Sequence, residues 1–154
     1  MDKILFQYNV ALMREPFDHP IWDDFKSRLE ELHLLADDNP SFLWRYQGEK
    51  DEHGYIHPYR DNELLMGNLS AWSDYSSLFD YTFTAGHLDI MKSKRKWFIP
   101  LPQPWSVLFY GEPSDLERSS EDLLEEAKQR LVYLADNGES PFAFGFGNHK
   151  GVFE

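Results

Sequence analysis

The sequence predicts a single α+β domain spanning residues 1–154. Its plan is an antiparallel sheet in β-α-β-β-α-β order with helices on one face, then a C-terminal helix and a short last strand. Three observations predict it. Hydrophobic spacing switches between a period of two and a period of about 3.6 residues in that order. The first and fourth strands are apolar or aromatic on both faces, so the sheet needs cover on each side. Cysteine is absent, so neither a disulfide nor a thiolate–metal site staples the chain. A chain of this length buries roughly two-thirds of its unfolded surface and needs no staple.

The elements follow in order. Residues 3–13 alternate as a strand: Ile4, Phe6, Tyr8, Val10 and Leu12 on one face, Leu5, Gln7, Asn9 and Ala11 on the other. Pro16 and Asp18 mark a turn. From Ile21 the period lengthens; Ile21, Phe25, Leu29, Leu32, Leu35 and Ala36 draw the stripe of an amphipathic helix. It stops near Asn39-Pro40, because proline disfavours helix in the residue before it. Residues 42–47 are a short strand with Phe42, Trp44 and Tyr46 on one face. A polar connection over residues 48–62 leads to a strand over residues 64–71.

A helical region then runs over residues 73–98, broken at Gly86, where glycine costs about 1 kcal/mol relative to alanine. Pro100, Pro102 and Pro104 make an extended linker into a strand over residues 105–110. Residues 119–135 form a helix with an apolar stripe of Leu123, Leu124, Ala127, Leu131 and Leu134, ended by Asn137-Gly138. Phe142, Phe144 and Phe146 alternate in the last short strand. Four strands and two crossover helices in this order are the split β-α-β, ferredoxin-like plan. A second copy packed face to face would cover the other side of the sheet, making a dimeric α/β barrel.

Composition excludes several functions. A formal net charge of −12 repels phosphate backbones, which argues against nucleic acid as a partner. No apolar run approaches the ~20 residues of a membrane span. The opening MDKILFQYNV is too short and polar for a signal peptide, so the expected compartment is the cytoplasm. The chain has no P-loop, no G-x-G-x-x-G, no G-x-S-x-G and no His-Glu-x-x-His motif, which removes the usual support for nucleotide binding, serine hydrolysis and zinc proteolysis. His53 and His57 are four apart, but the glycine and proline between them exclude a regular helix, so they make a poor zinc signature. No metal site is expected. The aromatic share, 16%, exceeds what a small core needs and suits interfaces and ligand pockets as well.

The segments FLWRYQ, LLMGNLSAWSDYSSLFDYTFTAGHLDIMKSKRKWF and EEAKQRLVYLADNGESPFAFGF resemble the bacterial domain of unknown function 3291 family. The most specific part is Trp72, His87 and the run Lys94-Arg95-Lys96-Trp97-Phe98. The resemblance implies a ferredoxin-like, dimeric α/β-barrel fold. Its wider relatives include cofactor-free monooxygenases, haem-degrading oxygenases, haem peroxidases and small isomerases. Fold alone does not choose among these.

Residues that carry chemistry are few. His87 follows the helix break, with Met91 and Arg95 one and two turns along on one stripe. An imidazole there serves as a proton carrier, a haem ligand or a hydrogen-bonded structural group. Asn9 and Asn68 sit mid-strand, where asparagine is disfavoured; buried amides need partners, so each either locks a loop or points into a cavity. Arg45 stacks on a ring or pairs with a carboxylate, the ion pair being the expected role. Trp72 and Trp97 bracket the broken helix, either as core or as walls of a flat apolar pocket.

These residues give the expectation of a small-molecule enzyme acting on a hydrophobic aromatic substrate, and the resemblance implies monooxygenase-like or isomerase-like chemistry for it. His87 and Asn9 are its catalytic candidates; Trp72, Trp97, Asn68, Arg45, Arg95 and Met91 are its substrate-binding candidates. No cofactor is expected. The alternatives are a dimeric carrier of such a ligand without chemistry, and a haem protein with His87 as ligand.

Overall fold

β1, the strand Ile4–Met13, is the axis around which the other strands assemble. It pairs antiparallel with β3 (Leu65–Trp72), from Leu5 opposite Trp72 to Leu12 opposite Leu65. On its other edge it pairs with β5 (Ser106–Gly111) over Ile4 to Asn9, and with the two-residue β4 (Phe98–Ile99) at Leu12 and Met13. β2 (Phe42–Arg45) pairs with β3 and forms an edge. The order β2-β3-β1-β5, all antiparallel, is the ferredoxin-like arrangement. The structure is a computed structural model describing residues 3–16, 18–46, 65–82, 94–99 and 106–146.

The helices divide between the two faces. α1 (Asp23–Asp37) and α2 (Tyr75–Thr82) are the crossover helices and share one face, as expected. There Leu5, Trp72 and Leu108 pack with Ala36, Tyr75, Leu78 and Phe144. Further along the same face, Met13 packs with Trp22, Phe25 and Leu32, and with Trp97 of the single turn α3 (Lys94–Trp97). The C-terminal helix, which the expected plan adds to the crossover helices, takes the other face. α4 (Ser120–Asn137) lies on the opposite face, where Leu123, Leu124, Ala127 and Leu134 bury against Ile4, Phe6, Tyr8, Leu69, Ala71, Val107 and Phe109. The cover that the sequence argument assigned to a second copy is thus supplied in large part by the chain itself.

Local chemistry explains how α4 is held there. Ser119 caps its first turn, accepting from Asp122 N at 3.1 Å, and Gly138 ends it at φ +79°, a conformation that favours glycine. The Arg130 guanidinium lies between the rings of Phe109 (4.6 Å) and Phe142 (4.2 Å) and donates to Phe142 O at 2.8 Å. That one side chain joins α4, β5 and the turn after α4.

Several expected elements differ in detail. The first helix opens with a 3-10 turn at Pro20–Trp22, where Trp22 is buried and donates to Glu15 O at 2.9 Å. Leu35, assigned to the buried stripe, is exposed, because Phe25, Leu29, Leu32 and Ala36 already define a face that it misses. A register shift between Phe42 and Trp44 breaks the alternation of β2. It sends Phe42 to the α1/α2 face and leaves Trp44 and Tyr46 on the α4 face. The last strand is reduced to bridges, Leu108 with Phe144 and Ser140 with Ala143. Of the helical region expected over 73–98, the described parts are helical at Tyr75–Thr82 and Lys94–Trp97, and Phe98 and Ile99 have joined the sheet. Gly86 and the linker of Pro100, Pro102 and Pro104 lie outside the described residues.

Leu123 is 2% exposed beneath α4, whereas Val132 on the outer side is 60% exposed. Leu123→Ala should lower stability by about 2–5 kcal/mol and Val132→Ala by under about 0.5 kcal/mol, measured by urea unfolding. Equal effects would mean that α4 does not close this face.

Candidate functional site

The α1/α2 face of the sheet carries polar side chains where strands ordinarily bury apolar ones. Gln7 and Asn9 point to this face from β1, in alternation with Phe6, Tyr8 and Val10 on the other. Register then gathers their neighbours. Gln7 stands opposite Ser70, and Asn9 stands opposite both Asn68 on β3 and Ser106 on β5. Directly opposed residues project from the same face with Cβ atoms about 5 Å apart. Asn68, Asn9 and Ser106 therefore form a row across three strands.

The adjoining pair is satisfied. The Trp72 indole N–H donates to Ser70 Oγ at 3.0 Å, and the Ser70 hydroxyl donates to Gln7 Oε1 at 3.2 Å. The row itself is not. Asn9 Oδ1 and Ser106 Oγ are both buried and neither meets a hydrogen-bond partner. A buried polar atom left unmet costs about 1–3 kcal/mol, so native folds keep few without a reason. Asn68, third in the row, is exposed.

Aromatic clusters flank the row along the strands. On the Gln7 side lie Leu5, Trp72, Tyr75, Leu78 and Leu108, with the Tyr81 ring tilted against Trp72 at 4.9 Å. On the other side lie Met13, Trp22, Phe25 and Trp97. α1 contributes to both, through Ala36 and through Phe25 and Leu32. The row thus sets an acceptor and a hydroxyl, both enclosed, between two apolar clusters.

The structure brings Asn9 and Asn68 together as cross-strand partners. It separates Trp72 from Trp97, placing them in different clusters, both buried, with Trp97 donating its N–H to Ile21 O at 3.0 Å. Arg45 stands apart from the row. Its guanidinium pairs with Asp37 at 3.0 Å, donates to His33 O at 3.3 Å and covers the Phe42 ring at 4.6 Å, tying β2 to α1. Burial first, then the Arg45 charge, hold His33 below the ordinary imidazole value. Burial also pushes the neighbouring Tyr81 phenol up to about 12; its hydroxyl donates to Leu32 O at 2.9 Å.

Arg95 lies in the turn α3. His87 and Met91 lie outside the described residues. Ser106, Gln7 and Ser70 were missed in the sequence. Gln7 had a visible signal, being two residues before Asn9 on the same strand face. Ser106 and Ser70 had none, because only cross-strand register assigns them.

A separate open groove of about 520 Å³ runs along the β2 edge, lined by Asp37, Phe42, Leu43, Trp44, Arg45, Ser120 and Glu121. It does not include the row. Among the described residues, no group of three or more His, Cys, Asp or Glu side chains could hold a metal ion, and no helix is long and apolar enough to cross a membrane.

Comparison with other proteins adds the following. The profile of a family described as a domain of unknown function (DUF3291) matches residues 4–152. No curated protein matches the chain. Among solved structures, protein SO0527 of Shewanella oneidensis is similar, with TM-score 0.52 and 7% identity over 72% of this chain and 93% of that one. An antibiotic biosynthesis monooxygenase candidate of Nitrosomonas europaea has TM-score 0.50 and 14% identity over 72% and 92%. SnoaB of Streptomyces nogalater, a cofactor-independent oxygenase, has TM-score 0.46 and 14% identity over 73% and 95%. Identities this low speak to the fold.

The unmet Asn9 acceptor separates this row from its satisfied neighbours by a stability measurement. Asn9→Ala should melt at or above the parent temperature, since it removes an unpaired group. Ser70→Ala should lose about 1–3 kcal/mol, because Trp72 Nε1 and Gln7 Oε1 both lose their partner. A large loss in Asn9→Ala would show that the amide is a structural tie.

Proposed function

The chain belongs to the domain of unknown function 3291 family, and on that footing we propose that it is a small-molecule enzyme, oxygenating or isomerising a hydrophobic aromatic substrate without a cofactor. The observation that carries this reading is the row of Asn68, Asn9 and Ser106, with buried unmet polar atoms between two aromatic clusters. The fold shared with a monooxygenase candidate supports oxygenation as the first chemistry to test.

In this proposal Asn9 and Asn68 hold a substrate oxygen on the sheet. Amide N–H groups placed there favour negative charge as a ring hydroxyl gives up its proton. His87 receives that proton, an imidazole being the side chain suited to it near neutral pH. Trp72 and Trp97 close the apolar ends, and Met91 and Arg95 complete the site from the stripe that follows His87. A hydroxyarene is itself the reductant of dioxygen. One oxygen atom becomes a new ring carbonyl and the hydroxyl becomes a second. The other atom leaves as water with the hydrogens released from carbon and oxygen.

The second reading, a carrier, is favoured by one observation: the row offers amides and a hydroxyl but no titratable group among the described residues. A panel of hydroxylated polycyclic arenes, followed by oxygen uptake and product analysis, distinguishes the two. Turnover should appear with at least one compound. It should fall about 100-fold in Asn9→Ala and Asn68→Ala, and vanish in His87→Ala, with melting near the parent. Binding without oxygen uptake or isomerised product makes the protein a carrier. A stoichiometric haemin complex with a sharp Soret band, lost in His87→Ala, makes it a haem protein.

The proposal includes a homodimer. α4 leaves Val10, Trp44 and Tyr46 only partly buried on its face of the sheet, and Ile99, opposite Leu12, is 38% exposed. A second copy against that end would remove this apolar surface from water. Light scattering at micromolar concentration should report about twice the 18.2 kDa chain mass. A clean monomer would mean that α4 alone suffices.

A further inference from the structure

We propose that the open groove at the β2 edge is a second binding site, separate from the row, and that it takes an organic cation with an apolar body, of the arylalkylammonium class. The Asp37 and Glu121 carboxylates set the sign of the charge it accepts, and Leu43 carries the apolar body.

The groove is a product of the edge strand. Among the described residues β2 ends the sheet, paired with β3 on one side only. The register shift between Phe42 and Trp44 turns Phe42 toward the α1/α2 face and Trp44 toward the α4 face. Leu43, between them, is left at the open edge, 40% exposed. A short, bulged edge resists the pairing of another strand, so recognition here falls to side chains. The cavity of about 520 Å³ reaches from Asp37, the last residue of α1, to Ser120 and Glu121 in the first turn of α4. That is room for a small molecule. Trp44, which also belongs to the face given above to a second copy, lines it beside Leu43.

Charge then selects the ligand. Three ionised side chains line the groove: Asp37, Arg45 and Glu121. Arg45 is already engaged by Asp37 Oδ1, the His33 carbonyl and the Phe42 ring. Glu121 is exposed and has no ion pair among the described residues. The pairing of Asp37 with Arg45 thus leaves the lining with one uncompensated negative charge. α1 adds to it. The C-terminal end of a helix favours cations, yet this one ends on Asp37 and Asp38 with no basic residue in its last turn. The positive end of α4 is answered by its own Glu121 and Asp122. An anion entering here meets Glu121, and a neutral arene gains only the apolar contact. A cation gains both, and the Ser120 hydroxyl can accept one of its N–H groups.

The test titrates three probes that share a ring and differ in charge into the full chain near neutral pH: phenylethylamine, phenylethanol and phenylpropionate. Binding is read by calorimetry, with melting curves recorded for each variant. The amine should bind about three- to fivefold tighter than the alcohol, with the acid weakest, and the preference should shrink as salt is raised. Glu121→Gln should lose most of the preference. Leu43→Arg, which places a cation of the protein's own in the groove, should abolish amine binding. Both should melt near the parent, since both side chains are exposed. Val132→Arg, the same charge change on the outer side of α4, should bind as the parent does. If Leu43→Arg does not fold, Glu121→Gln decides alone. An alcohol that binds as tightly as the amine, an acid that binds best, no binding of any of the three, or variants that keep the parent's preference each overturn the proposal. None of these outcomes bears on the row.

Discussion

The rest of the molecule depends on β1 being paired on both edges and covered on both faces. Few strands carry that much. Ile4, Phe6 and Tyr8 must be buried on one side, and Leu5 and Met13 on the other. Alternation of side chains makes this possible only if the chain supplies two layers of cover, which the ferredoxin-like order alone does not. α4 is the second layer. Its stripe is spaced for a helix, and its caps and Arg130 clamp hold it across β1, β3 and β5. Removing one side chain from that contact weakens a layer on which three strands rely.

The aromatic excess has a structural account for many of its members. Phe6 stacks on Phe109 at 5.2 Å, Trp22 meets Phe25 edge-on at 5.1 Å, and Trp72 meets Phe42 at 5.3 Å. The buried indoles of Trp22, Trp72 and Trp97 each donate their N–H. Against that background the unmet Asn9 and Ser106 atoms stand out. The fold satisfies Ser70, Gln7 and Trp72 one pleat away, so geometry did not prevent satisfaction of this region in general. A strand position that tolerates an unpaired amide oxygen gives up stability where apolar residues would have packed, which is the usual mark of a site shaped for something other than the core.

The two arginines at opposite edges of the sheet show how charge serves packing here. Arg45 and Arg130 each stack on phenylalanine rings and each satisfy a backbone carbonyl. Planar guanidinium groups can do both at once, which an ammonium cannot. Arg45 thereby fastens the β2 edge to α1 and Arg130 fastens the β5 side to α4, while the acidic surface elsewhere remains solvated. The ion pair read from the sequence for Arg45 has its partner in Asp37, a residue that nothing in the local sequence singled out.

The sequence by itself determined what is local. Periodicity placed β1, α1, β3, β5 and α4, because the pattern of one element is set by which of its own faces is buried. It marked Asn9 and Asn68 as residues out of place in strands. Tertiary structure decided what depends on distant segments. The register shift in β2 redirected Phe42, and competition for two faces sent α4 to the side away from α1 and α2. Cross-strand pairing made Asn9, Asn68 and Ser106 one row, and tied Gln7 to Ser70 across 63 residues of chain. No window of sequence contains those relations, since a slip of one residue in register would turn every one of these side chains to the other face.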